Sequence, residues 1–210
     1  MGLKCSKCTV QACCEEPENA RFPKFCPMAG SGTEALARVR ERYDEPEIQR
    51  LAKASAQTEA SGYCQWPRVQ ETMDFANRIG AKHLGIAHCI GLAREAKMLQ
   101  EILEANGFEV ESVCCKVGMI PKEEIGLQDA DKIEPGSFET LCNPVGQAEL
   151  LKEAGTQLNI VVGLCVGHDS LFFQHTAAPA TCLVAKDRVT GHNPVAALYT
   201  SDSYYRRLKS

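Results

Sequence analysis

Asn159-Ile160-Val161-Val162-Gly163-Leu164, running directly into Cys165-Val166-Gly167-His168, is the stretch on which the fold turns. A short unbroken apolar run bounded by turn residues reads as a strand buried on both faces, the kind found in parallel sheets. The flanks agree. Asn143–Ala154 reads as a helix, with Pro144 near its start and Gly155 after its end. Asp169–His175 reads as a short helix and Thr181–Lys186 as a further strand. Upstream, Lys82–His88 and Phe108–Cys114 read as strands around an amphipathic helix, Leu92–Asn106, closed by Gly107. Strands alternating with helices predict an α/β fold: a mainly parallel, Rossmann-like sheet with helices on both faces. In such a sheet the site lies beyond the carboxyl ends of the strands.

The remaining segments fit around this core. Residues 31–80 read as helical. Ser31 and Glu34 have capping-box spacing, Asp44 and Pro46 open a second helix ending near Gly62, and Pro67 opens a third that runs to Gly80. The stretch 116–140, with Gly118, Pro121, Gly126, Pro135 and Gly136, reads as a loop long enough to cover a site. The tail, Asn193–Ser210, reads as a short helix followed by an extended or frayed end. Residues 1–30 hold Pro17, Pro23 and Pro27, show no period, and lack the apolar residues for a core. The expected organisation is therefore a cysteine-rich metal-binding segment over 1–30, then a helical lead-in and α/β domain over 31–210. A bound metal would fold the first of these.

With 44% apolar and 24% charged residues, the chain has the composition of a soluble globular protein. Its net charge of −4 offers no basic footprint, so nucleic acid is not an expected partner. No apolar run approaches the roughly 20 residues of a membrane-spanning helix, so no membrane partner is expected. Residues 1–10 carry no apolar signal-peptide core, so a cytoplasmic location is expected. That compartment keeps thiols reduced, which argues against a disulfide framework for the twelve cysteines. So many oxidisable thiols point to an anaerobic host.

The cysteines fall in two groups. Cys5-x-x-Cys8, Cys13-Cys14 and Phe25-Cys26-Pro27 gather five thiols in the first 26 residues. A CxxC turn aims two thiolates at one centre, and two later cysteines complete a four-sulfur set. Either Cys13 or Cys14 fills one place. The second group follows the strands: His88-Cys89, Cys114-Cys115 and Cys165, with Cys142 at the start of a helix. Parallel strands bring these to one edge of the sheet. Adjacent glycines, Gly91 and Gly163 among them, let backbone approach a bulky ligand. Helix N-termini after Cys89, Cys142 and His168 would stabilise thiolates. Cys89, Cys115, Cys142 and Cys165 are thus candidate cofactor ligands, with Cys114 the alternative to Cys115. His168, in Cys165-x-x-His168, and His88, beside Cys89, are candidate proton donors, while Asp169 reads as a helix cap. Cys182 lies within a strand, where a small apolar side chain simply fills the core, and Cys64 is undecided.

The spacing after Cys8 is not that of a zinc ribbon, and iron–sulfur leads zinc. The expected protein is an iron–sulfur redox or electron-transfer protein of the 4Fe-4S type. One centre would sit on the N-terminal cysteines and pass electrons to a second in the strand-end cleft, serving a redox protein partner or a small molecule. The alternatives are a zinc protein with reactive thiols, or a metal or cluster carrier or sensor.

Two segments also carry a resemblance. Leu141-Cys142-Asn143-Pro144-Val145-Gly146-Gln147-Ala148 and Val161-Val162-Gly163-Leu164-Cys165-Val166-Gly167-His168-Asp169-Ser170 resemble domain-of-unknown-function family 1847. So do Cys5-x-x-Cys8, Phe25-Cys26-Pro27, Asp187-Arg188-Val189 and Gly191-His192-Asn193-Pro194. The members of that bacterial and archaeal family are described as metal-binding. The resemblance implies metal binding in an anaerobic setting and supplies no reaction.

Overall fold

The computed structural model describes residues 3–29 and 33–209, in two compact units that divide after Ala60. Ser31, and with it the expected capping box, lies outside the described residues.

In the first unit the cysteine segment is a series of single 3-10 turns at Cys5–Lys7, Ala12–Cys14 and Pro27–Ala29. Two helices follow: α1 (Thr33–Arg42) and α2 (Pro46–Gly62), the latter ending just past the division. Pro46 takes the first helical position, where its missing N–H has no partner to lose.

The second unit opens with α3 (Arg68–Arg78), entered through Pro67. Then come β1 (His83–His88), α4 (Ala93–Ala105), β2 (Glu109–Cys114), α5 (Pro144–Glu153), β3 (Leu158–Val162), α6 (His168–His175), β4 (Ala180–Val184) and α7 (Val195–Tyr199). The four strands form one all-parallel sheet in the order β2-β1-β3-β4. The connection from β1 to β2 runs one way across the sheet, and those from β2 to β3 and β3 to β4 run the other. Right-handed crossovers therefore place α4 on one face and α5 with α6 on the opposite face, and α5 packs directly on α6. The order reverses between β1 and β3, and the carboxyl ends of these two strands mark the switch point where sheets of this kind place their sites.

The core lies on both faces of the central pair. Leu84, Ile86, Leu158, Ile160, Val161 and Val162 are almost completely buried. Leu99 and Leu103 from α4, Leu151 from α5 and Phe172 from α6 join them. Each such side chain contributes about 1.5–3 kcal/mol by leaving water. Five buried residues in succession make β3 the hydrophobic run that the sequence reading identifies, whereas the edge strand β2 is largely exposed.

Two connections differ in character from simple loops. Residues 116–140 contain two 3-10 turns and are laced by ion pairs of Lys122 with Glu139 (2.5 Å) and Lys132 with Glu123 (2.6 Å). The tail after α7 departs from the expected extended or frayed end. It turns at Arg206–Lys209, where Lys209 reaches Asp202 at 2.5 Å. Among the described residues, no helix is long and apolar enough to cross a membrane.

Candidate functional site

All five N-terminal cysteines line one cavity of about 300 Å³: Cys5, Cys8, Cys13, Cys14 and Cys26, with Phe22, Pro23 and Phe25 completing the wall. Local turns set their positions. Cys8 N–H donates to the Cys5 carbonyl (3.0 Å) and Cys14 N–H to that of Gln11 (3.0 Å). Gln11 adopts a left-handed conformation (φ 53°), which bends the chain between the two pairs. Cys26 N–H donates to the Pro23 carbonyl (2.8 Å), and Met28 N–H points at Cys26 Sγ (3.4 Å). An amide aimed at sulfur tunes any metal the sulfur holds. The charge of Cys14 pushes the Cys13 thiol up, as expected for two like groups side by side.

The second group of cysteines meets at the strand-end cleft. The β1–β2 register pairs His88 with Cys114, so Cys89 and Cys115 stand opposite each other one step further on. Cys115 N–H donates to the His88 carbonyl (2.8 Å), continuing the ladder, and Cys89 N–H donates to the Val162 carbonyl of β3 (3.1 Å). Asn143 caps α5, its Oδ1 accepting from Gly146 N–H (2.8 Å). Its own N–H donates to the Cys115 carbonyl (2.7 Å), which seats Cys142 beside Cys115. The Cys115 thiol interacts with both Cys89 and Cys142 and, having one proton, can donate it to only one of them at a time.

The electrostatics divide the three thiols by role. Hydrogen bonding from Cys115 lowers Cys89 to about 4, assisted by Lys186 Nζ at 2.6 Å. The same donor lowers Cys142 to about 5, assisted by the charges of Lys116 and His168. Cys115 is raised, because it sits between two thiolates and is buried. The Ile90 N–H at the start of the α4 region also points at Cys115 Sγ (3.3 Å). A Cβ on Gly91 would lie 3.2 Å from Lys186 Nζ, so the glycine admits the lysine rather than a bulky ligand.

The structure therefore joins Cys89, Cys115 and Cys142. Cys114 is the neighbour of Cys115 and, by strand alternation, points to the other face. Cys165 is held by Arg188 Nη2 (3.0 Å), and its carbonyl accepts from His168 N–H (2.9 Å). His168 opens α6, its charge acts on Cys142, and its buried Nδ1 has no hydrogen-bond partner. The His88 ring lies 3.1 Å from the Cys89 carbonyl. Asp169 accepts from the N–H groups of Gly167 (3.0 Å) and Ser170 (2.8 Å), a local capping role. Cys182 lies in β4, and burial raises its thiol. Among the described residues, no three His, Cys, Asp or Glu side chains stand ready-made to hold a metal ion.

Sequence reasoning gave no role to Lys116, Lys186, Arg188 or Gln147. Lys186 and Arg188 follow β4 as the cysteines follow the other strands, so the strand-end rule applied to cations would have found them. Gln147 is fully buried, its Nε2 donating to the His88 carbonyl (3.1 Å) and the Val113 carbonyl (2.6 Å). It ties together the ends of β1 and β2, from which Cys89 and Cys115 emerge.

A family profile described as "Protein of unknown function (DUF1847)" matches residues 26–183. An uncharacterized protein of Methanocaldococcus jannaschii is 42% identical over 203 residues, which span 97% of this chain and 96% of that protein. No solved structure matches the chain.

Proposed function

The chain belongs to the DUF1847 family, whose function is unknown, and we propose that it is an iron–sulfur protein with a redox role whose cluster sits on the N-terminal cysteines. The observation that carries this reading is the single cavity lined by Cys5, Cys8, Cys13, Cys14 and Cys26. Four thiolates on one zinc ion must close to about 2.3 Å from it. Cysteines spread around about 300 Å³ of space suit a larger group, and a 4Fe-4S cluster is such a group. Cys5, Cys8 and Cys26 with one of Cys13 and Cys14 would be its ligands, and the Met28 amide on Cys26 would help set its potential. The strand-end cleft is the second reactive centre, and a redox protein or a small molecule is the partner. A second reading, a carrier that hands its cluster on, is favoured by the exposure of Cys5, Cys13 and Cys14.

The test is the content of iron, zinc and acid-labile sulfide, with an absorption spectrum, on protein purified without oxygen. Several irons with matching sulfide per chain, lost in Cys5→Ser and Cys26→Ser, are expected. Zinc without sulfide would refute the cluster. Transfer of the cluster to an apo-acceptor would favour the carrier.

A further inference from the structure

Cys142, Cys115 and Cys89 form a chain of contacting thiols running inward from the cleft, with Cys142 partly exposed and the other two buried. We propose that this chain is a reductant of anionic disulfides, in which Cys142 attacks the substrate, Cys115 resolves the adduct, and Cys89 with Lys186 receives the proton. It rests on the redox reading above only for the source of its electrons.

Placement assigns the roles. Cys142 is the one of the three that a substrate can reach. Cys115 touches Cys142 by side chain, and its carbonyl holds the amide of the very next residue, Asn143, at 2.7 Å. A sulfur–sulfur bond between them therefore needs side-chain rotation rather than movement of the chain. On the far side of Cys115 stands Cys89, whose sulfur is 2.6 Å from Lys186 Nζ. A lysine this close occupies the space that a metal centre on Cys89 would need. The charges select the substrate. Lys116 and His168 act on Cys142, and Arg188 stands on Cys165 at 3.0 Å. Such a rim favours a disulfide that carries carboxylates.

The step balances as follows. The Cys142 thiolate attacks one sulfur of R–S–S–R, the substrate S–S bond breaks, and the first R–S⁻ leaves. Cys115 passes its proton to the Cys89 thiolate and attacks Cys142 Sγ. The mixed disulfide breaks and the second R–S⁻ leaves. Cys115 and Cys142 have lost two electrons, and one disulfide has become two thiolates. Two electrons restore the pair, delivered singly by an iron–sulfur donor or together by a dithiol, and the proton held on Cys89 returns to Cys115.

The experiment treats pre-reduced full-length protein, without oxygen, with oxidised glutathione or with cystamine, and maps the cysteines by peptide mass. A Cys115–Cys142 disulfide is expected, formed about ten-fold or more faster with the anionic glutathione than with cationic cystamine. Cys115→Ser should stop with one glutathione on Cys142, and Cys142→Ser should leave Cys115 and Cys89 unmodified. A lasting glutathione adduct on wild-type Cys142, no reaction at Cys142, or loss of bound metal in Cys142→Ser would each overturn the proposal. The two readings fail separately: iron and sulfide content reports on the N-terminal cysteines, and the disulfide mapped in the pre-reduced protein reports on Cys115 and Cys142.

Discussion

Lys186→Met keeps an unbranched side chain as far as Cε and removes the ammonium that stands 2.6 Å from Cys89 Sγ. Hydrogen bonds to charged groups contribute about 1.5–3 kcal/mol. At about 1.4 kcal/mol per pKa unit, the Cys89 thiol should rise by about one to two units. It should not return to the ordinary thiol value, because the larger cause of its lowering is the hydrogen bond from Cys115, which the substitution leaves in place. The assay is a titration of ultraviolet thiolate absorbance, run on Lys186→Met with and without Cys89→Ser. The same difference between wild type and Cys89→Ser is the reference, and the change between the two differences reads the effect of the lysine. An unchanged midpoint would mean that the lysine does not hold the thiolate. A full return to the ordinary value would mean that Cys115 is not its donor. Either result would refute the account of how the buried sulfur carries its charge.

Cys142 titrates near 5 in the folded chain against an ordinary value of 9.0, so its thiolate stabilises the fold fully above about 9, and that contribution is lost as pH falls through about 5. Denaturant midpoints of wild type should accordingly fall more steeply over that range than those of Cys142→Ser. Gly163→Ala should cost about 1–3 kcal/mol, because the new Cβ would meet Leu92 at 2.6 Å and the backbone there is left-handed (φ 65°); urea unfolding would show it, and an unchanged midpoint would contradict the packing. Gln147→Leu should cost about 1–2 kcal/mol by the same measurement, since it strips a donor from the carbonyls of His88 and Val113. Cys182→Ser should match wild type in iron, zinc and sulfide content, and a lower content would mean that β4 carries a ligand.

Much of the second unit is readable in one dimension because its signals are local. The run through Ile160 and Val162 can be satisfied only by a strand buried on both faces, and Pro144 with Gly155 brackets the helix before it. The strand bounds read from the sequence fall within two residues of those observed. The convergence of cysteines on one sheet edge follows from parallel strands. Partner choice does not. Cys114 and Cys115 differ by one position, and side-chain alternation sends only one of them toward Cys89. Cys165 looked equivalent to Cys89 and Cys142 yet is engaged by Arg188, which arrives from the segment after β4.

Residue order, through spacing and period, was enough for the α/β class, the gathering of five thiols near the start and the line of thiols after successive strands. Chain folding decided which of those thiols touch and which cations attend them. Ile90, next to Cys89, meets Cys115 across 25 positions of sequence, and Cys89 meets Lys186 across 97. Contacts of that separation depend on strand order and crossover handedness, which no local window of sequence contains.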